Sequence, residues 1–223
     1  MIAESLISDS IPSVSPGDTA SKVLTLMDVF RVSHLPIVTD EEYLGVISDK
    51  EIFDAHDFDA PLEAFISDQL LKPHVHPQQH IFEVAAVASS CGVSIVPVLT
   101  EDHIYLGSIS RYDLSNQLTI LFSPNEPGGI IELTMCENNY SLAQITQIIE
   151  GNDARILSLY TWKPNVSTTE LNVTIKVNQV DLSGIIQTLT RYNYEIKATF
   201  MDQTPLKSLI DDRFDQFMRY INT

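Results

Sequence analysis

The sequence predicts an α/β tandem repeat followed by an α+β unit of βαββαβ order. Three observations carry this: an internal repeat in the first half, a cluster of turn-forming residues near the middle, and a change of hydrophobic period after it. At 223 residues the chain can bury two cores of its own, so a disulfide framework is not required.

The repeat is read from landmarks that keep step. Ile11-Pro12-Ser13-Val14-Ser15-Pro16 returns as Lys72-Pro73-His74-Val75-His76-Pro77, which puts Pro73 61 residues after Pro12. At the same offset Ser33-His34-Leu35-Pro36-Ile37-Val38 aligns with Ser94-Ile95-Val96-Pro97-Val98-Leu99. Tyr43-Leu44-Gly45 then matches Tyr105-Leu106-Gly107 after a one-residue insertion.

Each copy predicts an extended piece, an amphipathic helix, an apolar strand, an acidic turn, a second strand and another helix. Val23, Leu26, Met27 and Phe30, and in the second copy Val84, Val87, Ala88 and Cys91, recur at helical spacing and are expected in the core. The strands run from Leu35 to Thr39 and Tyr43 to Ile47, then Ile95 to Thr100 and Ile104 to Ile109. Asp40-Glu41-Glu42 and Glu101-Asp102-His103 supply the turns. The apolar run from Ile81 to Leu99 is broken by Glu83, Gly92 and Pro97, so it reads as a helix turning into a buried strand, not as a membrane span.

At the end of each copy stands a glycine followed by a serine and an acid: Gly45-Val46-Ile47-Ser48-Asp49-Lys50-Glu51 and Gly107-Ser108-Ile109-Ser110-Arg111-Tyr112-Asp113. With the tandem repeat, these residues resemble the CBS domain, a small α/β module that occurs in pairs (the Bateman-type module) and takes adenosine-containing ligands in its clefts. Copy two matches the family's Gly-hydrophobic-x-Thr/Ser-x-x-Asp pattern except at Ser108; copy one has Glu51 where the aspartate belongs.

The resemblance implies that Ser110, at a helix N-terminus, faces a phosphate, and that Asp113 accepts the ribose hydroxyls. It adds Arg111, Ile95, Pro97, His76, His34, Ser48 and Glu51 to the nucleotide site, with AMP, ADP, ATP, NAD and S-adenosylmethionine as the implied ligands. Local positive potential would come from Arg111, Lys50, Arg31, His34 and the His74/His76 pair. Ser48-x-x-Glu51 also satisfies the capping box with no ligand, and Ser110-x-x-Asp113 is a variant of it.

Ser123-Pro124-Asn125-Glu126-Pro127-Gly128-Gly129 marks the boundary. Beyond it Ile130 to Met135 reads as a strand, Ser141 to Glu150 as a helix, Arg155 to Trp162 and Glu170 to Val177 as strands, Leu182 to Arg191 as a helix and Glu195 to Phe200 as a strand. This is the ferredoxin-like order, and it resembles an ACT domain, a module that senses amino acids. Its ligand loop would be Asn138, Asn139 and Tyr140, without the glycine usual there. The expected division is 1–61 and 62–122 for the CBS copies, 123–128 for the linker, 129–202 for the ACT-like domain and 203–223 for a C-terminal helix. As a set this architecture resembles the acetoin-utilisation regulatory protein family.

Composition narrows the function classes. The formal charge is −17, and residues 1–122 hold 5 basic against 18 acidic side chains, which argues against nucleic acid as a partner. The N-terminus lacks the basic start of a signal peptide. Cys91 and Cys136, in apolar stretches, read as small buried hydrophobes of a reducing compartment. A cytoplasmic, membrane-free location follows. No phosphate loop, dinucleotide fingerprint, nucleophile elbow or zincin motif is present. His74-x-His76 with His80 is a weak metal candidate with no acid or thiol to complete it. The expectation is therefore a non-catalytic, dimeric ligand sensor without catalytic cofactor or metal. The alternative is an interaction scaffold with empty sites.

Overall fold

A computed structural model describes residues 1–8, 10–40, 42–66, 70–165 and 167–201. The expected C-terminal helix lies outside the described residues. The chain divides into two compact units, Met1–Leu118 and Thr119–Thr223.

In the first unit, α1 (Ala20–Phe30) is capped by the Thr19 hydroxyl, which accepts from the Lys22 amide, and it ends at Arg31 in the left-handed conformation. The hairpin β1 (His34–Thr39) and β2 (Glu42–Ser48) follows, then α2 (Asp49–Ala55). The second copy repeats the series as α3 (Ile81–Ser90), β3 (Ile95–Leu99), β4 (Tyr105–Ser110) and α4 (Arg111–Leu121). The apolar run from 81 to 99 is thus one short helix and one fully buried strand. Among the described residues no helix is long and apolar enough to cross a membrane.

The two hairpins share one irregularity. Pairing slips between Ile37 and Val38 opposite Gly45, and between Val98 and Leu99 opposite Gly107. Both glycines have φ near 150°, at +150° and +151°. A Cβ at Gly45 would stand 2.6 Å from Leu70 and 2.8 Å from the Leu71 carbonyl oxygen; one at Gly107 would stand 2.5 Å from Ile7. The repeated glycine therefore lets an incoming arm of chain lie against the strand.

Those arms are exchanged. Residues 1–8 lie on copy two: the Ala3 amide donates to Gln79 O at 2.8 Å, the Ser8 amide to Ser108 O at 3.0 Å, and Ala3 and Leu6 sit in the core with Ile81, Ile95 and Ile109. Conversely, Leu62 and Leu70 complete the core of Val23, Leu35 and Ile47, and the Val46 amide donates to Leu71 O. Ile11 and Val32 pack against both cores. By packing, each copy is finished by the segment that precedes the other in sequence.

In the second unit β5 (Gly129–Cys136), α5 (Leu142–Glu150), β6 (Ile156–Trp162), β7 (Glu170–Val177), α6 (Ser183–Arg191) and β8 (Glu195–Met201) form an antiparallel sheet of order β6-β7-β5-β8. This is the ferredoxin-like arrangement. Ile131, Leu133, Val173 and Ile175 pack with Ile145, Ile149, Ile185 and Leu189 of the two helices. The alternate residues of β7, Asn172, Thr174 and Lys176, are also buried although polar.

Three core expectations are corrected. Phe30 lies at the end of α1 and is exposed. Cys91 caps α3, and Cys136 ends β5 where the strand leaves the helices' cover; both thiols are exposed. Helical and strand periodicity place a side chain on a face, but at the last position that face has run past its neighbours.

Candidate functional site

Copy one and copy two each end their second strand with a serine that caps the next helix. In copy one the Glu51 amide donates to Ser48 Oγ at 3.1 Å, while Glu51 Oε2 accepts from the Ser48 amide at 2.8 Å and its hydroxyl at 2.6 Å, a complete capping box. In copy two the Asp113 amide donates to Ser110 Oγ at 2.9 Å and the Ser110 hydroxyl donates to Asp113 Oδ2 at 2.6 Å. Ser110 is buried and its hydroxyl is committed to Asp113, so it orients that carboxylate instead of presenting itself to a ligand.

Asp113 borders a cavity of about 500 Å3. Its walls include Phe30, Arg31, Ser8, Ser10 and Tyr112, with Ser110 beneath. Arg31, left-handed at the end of α1, lines both this cleft and a neighbouring cavity of about 750 Å3 with Asp28 and Asp49, and its guanidinium has no hydrogen-bond or ion-pair partner among the described residues. The cleft thus offers a carboxylate with Oδ1 unengaged, a free guanidinium and two aromatic rings. These groups suit a flat base, a vicinal diol and an anionic group.

Arg111, expected there, points elsewhere: its guanidinium donates to Ala88 O at 3.2 Å and Val93 O at 2.6 Å, and it lines a separate cavity between α3 and α4. Sequence adjacency to Ser110 does not bring the guanidinium into the cleft, because two backbone carbonyls hold it on the α3 side. Ile95 is wholly buried and Pro97 is buried in the hairpin, so neither offers surface to a ligand in this cleft. Ser108, the motif's departure from an apolar residue, is buried with its hydroxyl 3.0 Å from the Tyr105 hydroxyl.

His34 sits where the copies meet. Its Nδ1 lies 3.3 Å from Ser94 Oγ and 3.1 Å from Ser33 Oγ, while the Ser33 amide donates to Ser94 Oγ at 3.0 Å. Burial pushes its imidazole below the usual range, Asp49 and Glu51 pull it back up, and Arg111 lowers it slightly. Lys50 is exposed, with its amide on Asp49 Oδ1.

His76 is away from the cleft, with Nδ1 3.2 Å from Leu99 O; its ring meets His74 edge-on at 5.7 Å, and His103 stands 6.0 Å from His74. His80 caps α3, accepting from the Phe82 amide. Among the described residues no group of three or more His, Cys, Asp or Glu side chains is placed to hold a metal ion.

In the second unit, Asn138 lies exposed in the short turn Glu137–Asn139, Tyr140 packs partly into the core, and Asn139 borders a cavity of about 420 Å3 with Gln144, Tyr192 and Tyr194. The Tyr194 hydroxyl donates to Gln144 Oε1 at 2.8 Å, and burial raises the Tyr194 phenol.

Known proteins match parts of the chain. A homoserine O-acetyltransferase of Methanococcus vannielii is 22% identical over 123 residues, 53% of this chain and 25% of that protein, so the chain spans about a quarter of its length. Among solved structures, a CBS domain pair/ACT domain protein of Thermotoga maritima is 19% identical with a TM-score of 0.48, covering 54% of this chain and 98% of that one. A putative acetoin utilization protein of Vibrio cholerae is 20% identical with a TM-score of 0.49, covering 56% and 96%. The family profile for the CBS domain matches residues 3–57. That match covers the first copy, and the same helix–hairpin–helix series is built a second time from Ile81 to Leu121.

Proposed function

We propose that this chain is a non-catalytic regulatory protein that senses an adenosine-containing nucleotide in the cleft of its second CBS copy. The observation that carries the reading is the meeting of Asp113 and Arg31 on one cavity, with Ser110 beneath holding the carboxylate in place. Asp113 accepts from the ribose hydroxyls through Oδ1, Arg31 pairs with phosphate or another anionic group, and Phe30 and Tyr112 flank the base. AMP, ADP, ATP, NAD and S-adenosylmethionine all present that chemistry. The first copy, closed by Ser48 and Glu51, is a capped helix only.

The βαββαβ unit is an ACT-like partner module, and of its candidate ligand loop at Asn138, Asn139 and Tyr140 only Asn139 borders a cavity. Nucleotide occupancy alters the state of the whole chain only by binding one arrangement better than another. A cytoplasmic homodimer is the expected setting. The rival reading is an interaction scaffold with empty sites, which the closed box of copy one favours.

Calorimetric titration of the full chain with the five ligands tests this. Micromolar binding that is lost in Asp113→Ala, weakened in Arg31→Ala and unchanged in Ser48→Ala supports the sensor. Silence across the panel, or equal affinity in Asp113→Ala, removes it in favour of the scaffold.

A further inference from the structure

The face of the second unit's sheet turned away from α5 and α6 holds a buried cation that no anion among the described residues meets. Lys176 is 8% exposed, and its ammonium donates to Ser123 O at 2.7 Å and Pro124 O at 3.1 Å, both neutral carbonyls. An ammonium has three donors, which leaves one N–H without an acceptor among the described residues. No ion pair reaches Lys176 among the described residues; its cross-strand neighbours are Ser158 and Ile130. Burying a charge without a counter-charge is costly, so such a site favours whatever brings one.

Two residues along the same face stands Thr174, 5% exposed, whose hydroxyl has no hydrogen-bond partner among the described residues. Both side chains line a cavity of about 300 Å3 whose other walls are apolar or aromatic: Phe122, Tyr160, Phe200 and Ile130. Phe122 and Tyr160 meet edge to face at 5.2 Å, and the Ser158 hydroxyl is already occupied, donating to Phe122 O.

From this we infer a second ligand site, distinct from the nucleotide cleft, for a small monocarboxylate with a flat or branched apolar body. The carboxylate takes the free N–H of Lys176 and the Thr174 hydroxyl, and the body lies against the aromatic walls. A single cation matches a single negative charge. With Glu132 directly across from Thr174 on β5, the lone cation has no positive charge to spare for a second negative one, which argues against a phosphate. The cavity is at the small end for ligand sites, which limits the ligand to a ring or short branched chain.

The test is a titration of isotopically labelled full-length protein with phenylacetate, followed by amide NMR shifts, beside its uncharged analogue phenylacetamide. Saturable shifts are expected in β6, β7 and residues 122–128, with phenylacetamide about tenfold or more weaker, the ratio set by one charge-assisted bond. Thr174→Val, nearly the same shape, should keep the spectrum of the folded protein and weaken phenylacetate several-fold; Lys176→Met should abolish its binding. Absence of saturable shifts at millimolar phenylacetate overturns the site. So does equal binding of phenylacetamide, or unchanged affinity in Thr174→Val, which would mean that the hydroxyl only holds a water.

Discussion

The two copies of the repeat are built alike and end differently. In copy one a glutamate folds back on Ser48 and satisfies both its amide and its hydroxyl. In copy two the shorter aspartate reaches only the Ser110 hydroxyl and remains at the edge of a cleft with Arg31. One methylene separates a closed helix cap from a candidate binding group. The lesson is that a motif of the same residue classes at the same spacing has to be judged by where its carboxylate is left.

The largest test of this pairing concerns the exchanged arms. Leu62→Ala and Leu6→Ala each remove a buried side chain from the other copy's core, and each should cost about 2–5 kcal/mol in urea unfolding. A loss well under that range for Leu6→Ala would break the symmetry of the arms. Next come the glycines. Gly45→Ala meets a backbone oxygen as well as Leu70, whereas Gly107→Ala meets only the Ile7 side chain. Both conformations are strained for alanine, at about 1–3 kcal/mol, and Gly45→Ala should be the worse of the two by thermal melting. If Gly107→Ala proved worse, the N-terminal arm would be held more rigidly than its counterpart.

A smaller effect separates the caps. Ser48→Ala should lose about 1 kcal/mol of stability with nucleotide affinity untouched, while Asp113→Ala should change affinity far more than stability. The smallest effect is one of pH. With its folded-state pKa below the ordinary 6.5, His34 resists protonation in the folded protein while the unfolded chain takes the proton. Stability is therefore full above about 6.5 and declines as pH falls from there toward the lower folded value. His34→Gln should flatten that part of the melting-temperature profile, and an unchanged profile would show that another group carries it.

Much of the fold was legible because periodicity and repetition are local signals. The Tyr-Leu-Gly landmarks located both hairpins, and the strand from Glu170 to Val177 was readable from its alternation. The exchanged arms were not: Ala3 and Leu6 show no pattern of their own, and their value lies in a core assembled more than 70 residues away. The site was half legible. Ser110 and Asp113 stand out by spacing, but the cation of the cleft is Arg31, placed by a left-handed helix end, while the adjacent Arg111 is drawn off to backbone carbonyls. The buried ammonium of Lys176 looked like one more polar position in an alternating strand, since nothing in alternation tells which of two faces is covered.

The crossing of the arms also bears on how such a protein is inherited and cut. Neither copy is an independent piece: a gene fragment ending after the first copy would encode Ala3 and Leu6 with no core to enter, and would lack the leucines that fill its own. Residues 1–118 should consequently melt as one cooperative body.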